Sequence, residues 1–163
     1  MRVAIDSNVL VYAFIRNDEK KHLLAADLMI RASLTDVILP AQVLGEFIAV
    51  IRRKFGHFAD EAVEQIALWA ATFTIVDTTE TEVIEGARFA LHHKLQVWDA
   101  IIWRAAASAG ASYLLSEDMH DGLTLDGLTV IDPFKPANAV LMTNLLAPME
   151  GIERLLIDSR ETP

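Results

Sequence analysis

The chain has 163 residues, of which 53% are hydrophobic, and this predicts one folded domain and excludes a disordered chain. It has no Cys, which excludes disulfides and thiolate zinc sites and is compatible with a cytoplasmic protein. The net charge of −9 argues against a broadly basic nucleic-acid-binding protein, although clustered acids that bind a divalent cation can still meet a phosphate.

No apolar run approaches the roughly 18 residues of a membrane span. Asp6 also stands where a signal peptide needs apolar residues. We therefore expect a cytoplasmic protein without a membrane partner.

Short β-prone segments alternate with helical segments along most of the chain. Strands are predicted at residues 3–5, 37–39, 73–76, 112–115 and 128–131. Helices are predicted at residues 9–15, 19–32, 42–55, 59–71, 79–93 and 99–109. Thr79 or Thr81 would cap the fifth helix, since Glu82 has capping-box spacing from Thr79. Gly56 and Gly110 would end the third and the sixth helix.

This alternation predicts right-handed βαβ crossovers and hence an α/β fold. The expected architecture is a three-layer α/β/α sandwich with a central parallel sheet of about five strands. Residues 1–134 form the predicted domain. Residues 135–163 are predicted as a C-terminal extension, with short helices at the apolar segments 137–146 and 152–157.

Asp6 directly follows the first strand, whose lack of polar alternation is typical of a strand buried on both faces. Ligands of open α/β sheets bind beyond the carboxyl ends of the strands, so Asp6 is a candidate site residue. Asp also caps helices, and taken alone Asp6 is explained equally well as the cap of the helix that follows.

Three further acids are candidates for the same site. Glu46 lies among apolar residues of the third helix, where a carboxylate is costly unless it is paired or binds a metal; the structural alternative is that it reaches Arg53 or solvent at the edge of the helix. Asp99 opens the Ala-rich helix, where capping and the helix dipole are the alternative explanation. Asp118 follows the fourth strand, in a turn of a kind that commonly contains Asp.

Four motifs in this order resemble the PIN-domain family of metal-dependent nucleases, and within it the VapC-type toxins of bacterial toxin–antitoxin pairs. The motifs are Ile5-Asp6-Ser7-Asn8, Leu44-Gly-Glu46-Phe, Trp98-Asp99-Ala100 and Ser116-Glu-Asp118-Met-His-Asp121-Gly122. The resemblance covers residues 1 to about 134.

The resemblance implies a PIN-like fold and a ribonuclease that hydrolyses RNA phosphodiesters, with a cognate antitoxin as partner and a homodimer as the assembly. The implied ligands of Mg²⁺ or Mn²⁺ are Asp6, Glu46, Asp99 and Asp118, with Asp121 as an additional candidate. Ser7, Asn8 and Ser116 would support these ligands or a water. Two carboxylates about 4 Å apart repel by about 4 kcal/mol at an effective dielectric constant of 20, so converging acids need protons or a divalent cation.

Other functions stay open at this point. A degenerate domain of this shape would bind RNA or protein without cutting, and a housekeeping RNA-processing nuclease would cut without an antitoxin. A phosphatase or receiver domain would use Asp6 as phosphoacceptor, but Asn8 stands where a dehalogenase-type phosphatase needs a second Asp. The basic groups at residues 52–54 and 92–94 are expected at solvated helix ends. Core positions are expected for Trp69, Trp98 and Trp103.

Overall fold

The computed structural model describes residues 1–148 of the chain. Within them, six strands form one sheet in the order β3-β2-β1-β4-β6-β5. The strands are β1 (Arg2–Ile5), β2 (Val37–Pro40), β3 (Thr74–Val76), β4 (Ala111–Leu115), β5 (Thr124–Leu125) and β6 (Leu128–Ile131). All neighbouring strands are parallel except β5 and β6.

Helices connect the parallel strands and flank the sheet. They are α1 (Ser7–Phe14), α2 (Glu19–Ala32), α3 (Ala41–Lys54), α4 (Ala59–Thr72), α5 (Glu80–His93), α6 (Val97–Ser108) and α7 (Ala139–Leu145). Single 3₁₀ turns at Gly56–Phe58 and Pro136–Asn138 precede α4 and α7. The predicted mixed α/β fold is confirmed. No helix in residues 1–148 has both the length and the apolar character needed to cross a membrane.

The position of β1 in the sheet determines where a site can form. Val3, Ala4 and Ile5 are fully buried, as expected for a strand covered on both faces. The chain moves outward from β1 to β2 and β3 and then returns to β4, which pairs with the other edge of β1. The sheet therefore has a topological switch point between β1 and β4, where ligands bind in folds of this kind.

The sheet has one strand more than the five predicted, because a short hairpin extends its edge. β5 pairs with β6 in antiparallel register, with Thr124 opposite Thr129. Asp126 and Gly127 form the turn with φ of 49° and 79°. Two positive φ angles are typical of a type I′ hairpin turn, for which Asp-Gly is a strong sequence signal. The dipeptide thus predicts a hairpin that the strand pattern alone does not.

Both α1 and α6 begin two residues earlier than predicted, and both corrections concern the site. α1 begins at Ser7 because the Asp6 side chain caps it. α6 begins at Val97 with Gln96 as its cap, so Asp99 lies within the first turn instead of at the start.

The remaining capping predictions have mixed outcomes. Thr79 caps α5, and Glu82 completes the capping box as predicted. Gly110 follows α6 with φ of 77°, in the left-handed region that favours Gly. The prediction that Gly56 ends α3 is wrong, because Phe55 already leaves the helical conformation with φ of −140° and Gly56 opens a 3₁₀ turn.

Residues 136–148 pack against the rest of the structure. Met142, Leu145 and Leu146 are buried in the common hydrophobic core. The Arg31 guanidinium donates hydrogen bonds to the carbonyls of Met142 at 3.1 Å and Ala147 at 2.7 Å. The division of the chain at residue 134 stays a prediction, and the predicted segment 152–157 lies outside the described residues.

Candidate active site

Asp6 lies at the end of β1 and is 3% exposed. Its Oδ1 accepts a hydrogen bond from the backbone N–H of Ser7 at 2.7 Å. Its Oδ2 accepts hydrogen bonds from Asn8 Nδ2 at 2.8 Å and from Ser116 Oγ at 2.7 Å. Asp6 is therefore a helix cap, as its alternative interpretation proposed, and it is also a carboxylate held in one orientation by three donors.

The surroundings of Asp6 together raise its pKa from 3.8 to about 6, and burial is the largest cause. The hydrogen bonds from Ser116 and Ser7 act in the opposite direction because they stabilise the charged form. The negative charges of Glu46 and Asp99 raise the pKa further. A desolvated carboxylate close to other acids is typical of functional sites.

Glu46 reaches the site from α3. Ser7 Oγ donates a hydrogen bond to its Oε2 at 3.2 Å, and Gln42 Nε2 donates to its Oε1 at 2.8 Å. The alternative ion pair with Arg53 does not form within residues 1–148. Gln42 orients Glu46, and the spacing of four residues on one helix is the sequence signal for this role.

Asp99 reaches the site from the first turn of α6. The cap of this helix makes no side-chain hydrogen bond, and within residues 1–148 the Asp99 carboxylate accepts none. Burial raises the pKa of Asp99, and the charges of Glu46 and Asp118 raise it further. Capping is therefore not supported for Asp99, whereas its place in the first turn of α6 is compatible with the dipole explanation. The negative charges of other acids act on its carboxylate.

Asp118 lies in the turn after β4 and is exposed. Asn8 connects it to Asp6, since Asn8 Nδ2 is also 3.4 Å from Asp118 Oδ2. Asn8 Nδ2 also lies 3.2 Å from Ser116 Oγ, and Asn8 Oδ1 accepts a hydrogen bond from the backbone N–H of Glu117 at 3.3 Å. The amide of Asn8 thus fixes the turn that carries Asp118 against the end of β1.

Lys21 of α2 holds the same turn from its outer side. Its Nζ forms an ion pair with Glu117 and lies 3.2 Å from Tyr12 Oη. The same ammonium is 4.7 Å from the centre of the Tyr12 ring, within the range of a cation–π contact. The hydrogen bond with Glu117 raises the pKa of Lys21. The sequence gives no sign of this pairing between Lys21 and Glu117.

The four acids come from four separate parts of the fold and influence one another electrostatically. The charges of Glu46 and Asp99 act on Asp6, and those of Glu46 and Asp118 act on Asp99. Within residues 1–148, no group of three or more Asp, Glu or His side chains is arranged so that it could already hold a metal ion. The donor chemistry nevertheless fits a hard divalent cation, because carboxylate oxygens are its preferred ligands and the cation would relieve their repulsion.

Asp121 is satisfied by protein donors. Its Oδ1 accepts hydrogen bonds from the backbone N–H of Asp132 and from Asn138 Nδ2, both at 2.9 Å, and its Oδ2 is 3.3 Å from Lys135 Nζ. Burial acts to raise the pKa of Asp121, but these hydrogen bonds and the Lys135 charge outweigh it and lower the pKa. An acid paired in this way gains little from a metal ion, and its role as an additional ligand stays a prediction.

The three tryptophans differ in their surroundings. Trp69 and Trp103 are 6% and 0% exposed, which confirms their predicted core positions. The same prediction is wrong for Trp98, which is 64% exposed. α6 begins at Val97, so Trp98 lies in its first turn, before the buried stretch that starts at Ala100.

A family model described as the PIN domain matches residues 3–120. No curated protein matches the sequence. The fold is similar to VapC20 of Mycobacterium tuberculosis, a sarcin-ricin loop cleaving toxin, with a TM-score of 0.61 and 19% identity over 71% of this chain and 91% of that chain. VapBC2 of Rickettsia felis, bound to a DNA fragment from its promoter, gives a TM-score of 0.58 and 16% identity over 80% and 97% of the two chains. DNA-bound VapBC of Salmonella typhimurium gives a TM-score of 0.59 and 14% identity over 82% of this chain and 98% of that chain.

At these identities the solved structures establish the fold. The family match extends further, because it spans most of the chain and includes the four acids that converge beside β1 and β4. This chain belongs to the PIN-domain family.

Proposed function

We propose that this chain is a metal-dependent endoribonuclease and the toxin of a toxin–antitoxin pair. The observation that carries the proposal is the convergence of four acids at the switch point of the sheet, where burial and mutual charge raise the pKa of Asp6 and Asp99. Membership of the PIN-domain family and the similarity of the fold to VapC toxins support the same function.

The proposed ligands of Mg²⁺ or Mn²⁺ are Asp6, Glu46, Asp99 and Asp118. When bound, such an ion supplies a Lewis acid for the phosphoryl oxygen and lowers the pKa of a coordinated water. The chain prepares its carboxylates for this task by fixing Asp6 through Ser7, Asn8 and Ser116, and Glu46 through Gln42. Asp6 and Asp99 must lose their protons before they can bind a cation, so binding should weaken as the pH falls.

The direct test is incubation of the purified chain with total RNA in Mg²⁺, in Mn²⁺ or in EDTA, followed by mapping of the new RNA ends. We expect discrete new ends with either metal ion and none with EDTA. RNA that is bound but never cut would instead support the non-cutting module. Equal cleavage in EDTA would rule out the metal site.

A small antitoxin encoded beside this chain is the proposed inhibitory partner. An Arg of the antitoxin suits the acidic site, because its planar guanidinium binds a carboxylate through two hydrogen bonds and competes with a metal ion. The other proposed properties are a homodimer and action on RNA in the cytoplasm.

Co-expression of the chain with its genomic neighbour tests this partner. We expect a stable complex with inhibited cleavage, and partial recovery of cleavage as Mn²⁺ is titrated. If the chain cuts RNA and the neighbour neither binds the chain nor inhibits this cleavage, the housekeeping nuclease is favoured. Full inhibition by a neighbour without Arg or Lys near the site would exclude charge competition.

A further inference from the structure

A surface groove leads away from the acids between the ends of α1 and α3. One cavity beside the site has a volume of about 220 Å³ and contacts Ser7, Asn8 and Asp118. A second cavity of about 440 Å³ adjoins it. Asn17 and Phe55 line both cavities, so the two are adjacent, and we call them together the side groove. Arg16, Lys54, His57 and Phe58 also line it.

The side groove carries two available cations. Arg16 and Lys54 are exposed, and neither forms an ion pair within the part of the chain that the structure describes. Arg16 Nε is 3.1 Å from Nε2 of His22, which orients the guanidinium without neutralising its charge. In a chain with a net charge of −9, two unneutralised cations in one groove indicate an anionic ligand.

The helix dipole gives Lys54 a second explanation. Lys54 ends α3 together with Arg52 and Arg53, and cations at a helix C-terminus are stabilised by the carbonyl end of the dipole. This effect explains basic residues at the end of α3. The dipole of α1 acts on Arg16 in the same way, because Arg16 directly follows the C-cap Ile15. Helix dipoles do not explain why both cations lie beside the same cavities, nor the aromatic residues next to them.

Phe58 provides an aromatic surface in the same groove. It is 39% exposed, although a Phe side chain gains free energy from full burial. Phe14 meets its edge, with ring centres 6.3 Å apart, and the His57 ring lies 4.2 Å away in a tilted arrangement. These neighbours hold Phe58 in place and leave part of its ring open. Aromatic rings beside cations are the combination that binds single-stranded nucleic acids, because bases stack while phosphates pair.

We infer that the side groove binds the single-stranded RNA that leads away from the scissile phosphate. Arg16 and Lys54 contact its phosphates, Phe58 stacks a base, and the amide of Asn17 contacts a base edge. An unpaired strand is required, because a base inside a duplex cannot stack on a side chain. The inference rests on the proposed nuclease function, which supplies the reason for RNA to approach the acids.

The test measures the binding of a fluorescent single-stranded RNA to the full-length chain in Mg²⁺, with Asp99→Asn present throughout so that the RNA is not cut. In this background, Arg16→Gln with Lys54→Gln should lower the slope of log affinity against log salt concentration by about 1.4, since each phosphate contact on a single strand contributes about 0.7. The matched control is Arg88→Gln on α5 with Lys94→Gln just after it, which removes two exposed cations outside the groove and should leave the RNA-dependent slope almost unchanged.

Phe58→Ala tests stacking separately. We expect roughly tenfold weaker RNA binding with an unchanged salt slope. Leu68→Ala on α4, which removes a 61% exposed apolar side chain outside the groove, is its control and should leave the affinity unchanged. If Phe58→Ala lowers the melting temperature, Phe58→Leu keeps apolar volume and removes only the ring, and it should still weaken binding.

The outcomes separate this inference from the proposed nuclease function. If the unmodified chain cuts RNA but both groove variants bind RNA like their controls, the inference fails and the nuclease stands. If no RNA is cut but the groove variants bind RNA more weakly than their controls, the groove stands and the nuclease fails. If the variants weaken only the complex with the genomic neighbour, the groove is a protein-docking surface and the inference is overturned.

Discussion

Two groups of residues with acidic side chains lie at the carboxyl edge of the sheet, and the pKa values of their acids are shifted in opposite directions. The quartet consists of Asp6, Glu46, Asp99 and Asp118. The Asp121 cluster consists of Asp121, Asp132, Lys135 and Asn138. The pKa is raised for Asp6 and Asp99 in the quartet, and it is lowered for Asp121.

The difference comes from the donors around each acid. Asp121 meets two N–H donors and an ammonium, which stabilise its charge and join the β4 turn to the segment after β6. Asp99 accepts no hydrogen bond within residues 1–148 and is surrounded by the charges of Glu46 and Asp118. The two aspartates therefore have opposite roles: Asp121 stabilises the fold, and Asp99 carries a charge that a proton or an added cation would neutralise.

Replacement of one acid from each group should produce the largest contrast. Asp99→Asn removes a charged ligand with little change of shape. We expect RNA cleavage to fall at least about a hundredfold, since even residues that only support a metal ligand are worth roughly 10–100-fold. Its melting temperature in EDTA should be unchanged or higher, because the replacement removes repulsion.

Asp121→Asn is the matched variant, assayed for initial cleavage rate and thermal unfolding beside Asp99→Asn. It should cut RNA at a rate close to that of the unmodified chain. A comparable loss of cleavage in both variants would erase the functional distinction between the two groups.

The pH dependence of stability should have opposite signs for the two groups. A folded-state pKa of about 6 for Asp6 means that the folded chain binds a proton more tightly than the unfolded chain. Relative to Asp6→Asn in EDTA, the unmodified chain should therefore lose about 2 kcal/mol of unfolding free energy as the pH rises from about 4 to about 6. Urea unfolding across this range provides the measurement.

Asp121 should show the reverse dependence. Its pKa is lowered, so its stabilising contribution is present above the unfolded-state value near 3.8 and is lost as the pH falls through the folded-state value. Comparison of the unmodified chain with Asp121→Asn across this pH range isolates the contribution of Asp121. Parallel pH profiles for Asp6 and Asp121 would contradict the electrostatic distinction.

A divalent metal ion should stabilise the chain through the quartet alone. At about 100 times its dissociation constant, a ligand that binds only the folded state adds about 2.7 kcal/mol to the unfolding free energy. We expect Mn²⁺ to raise the melting temperature of the unmodified chain and of Asp121→Asn, measured by circular dichroism. The double variant Asp6→Asn with Asp99→Asn should show no rise, and an equal rise there would place the metal elsewhere.

Loss of a donor from the Asp121 cluster should have the smallest effect. Asn138→Ala removes hydrogen bonds to Asp121 Oδ1 and to the carbonyl of Asp132, both at 2.9 Å. The unfolding free energy should fall by about 1–2 kcal/mol, with cleavage unchanged. Exposed Asn144→Ala in α7 is the control for helix composition. Equal stability of the two variants would show that the cluster contributes nothing to the fold.

Much of the fold follows from local sequence. The buried character of β1 follows from three apolar residues without alternation, and the start of α5 follows from Thr79 and Glu82 at capping-box spacing. The missed strand β5 has only two residues, too short for any periodicity, yet the Asp126-Gly127 turn signals it. The cap of α6, Gln96, makes no side-chain hydrogen bond, so no local sequence signal marks Val97 as the first residue of this helix. The sequence pattern therefore predicts the start of α6 at Asp99.

The sequence by itself determined which acids are candidates and that three of them lie at strand ends or helix starts, because element type and order are local properties of the chain. Only the tertiary structure decided what each acid meets. Asp121 is paired because the segment that follows β6 brings Asn138 and Lys135 to it. Among the described residues 1–148, Asp99 meets no donor because α3 and the β4 turn bring carboxylates to it instead. The charge state of an acid depends on desolvation and on neighbours distant in sequence, and the packing of the helices on the sheet selects those neighbours.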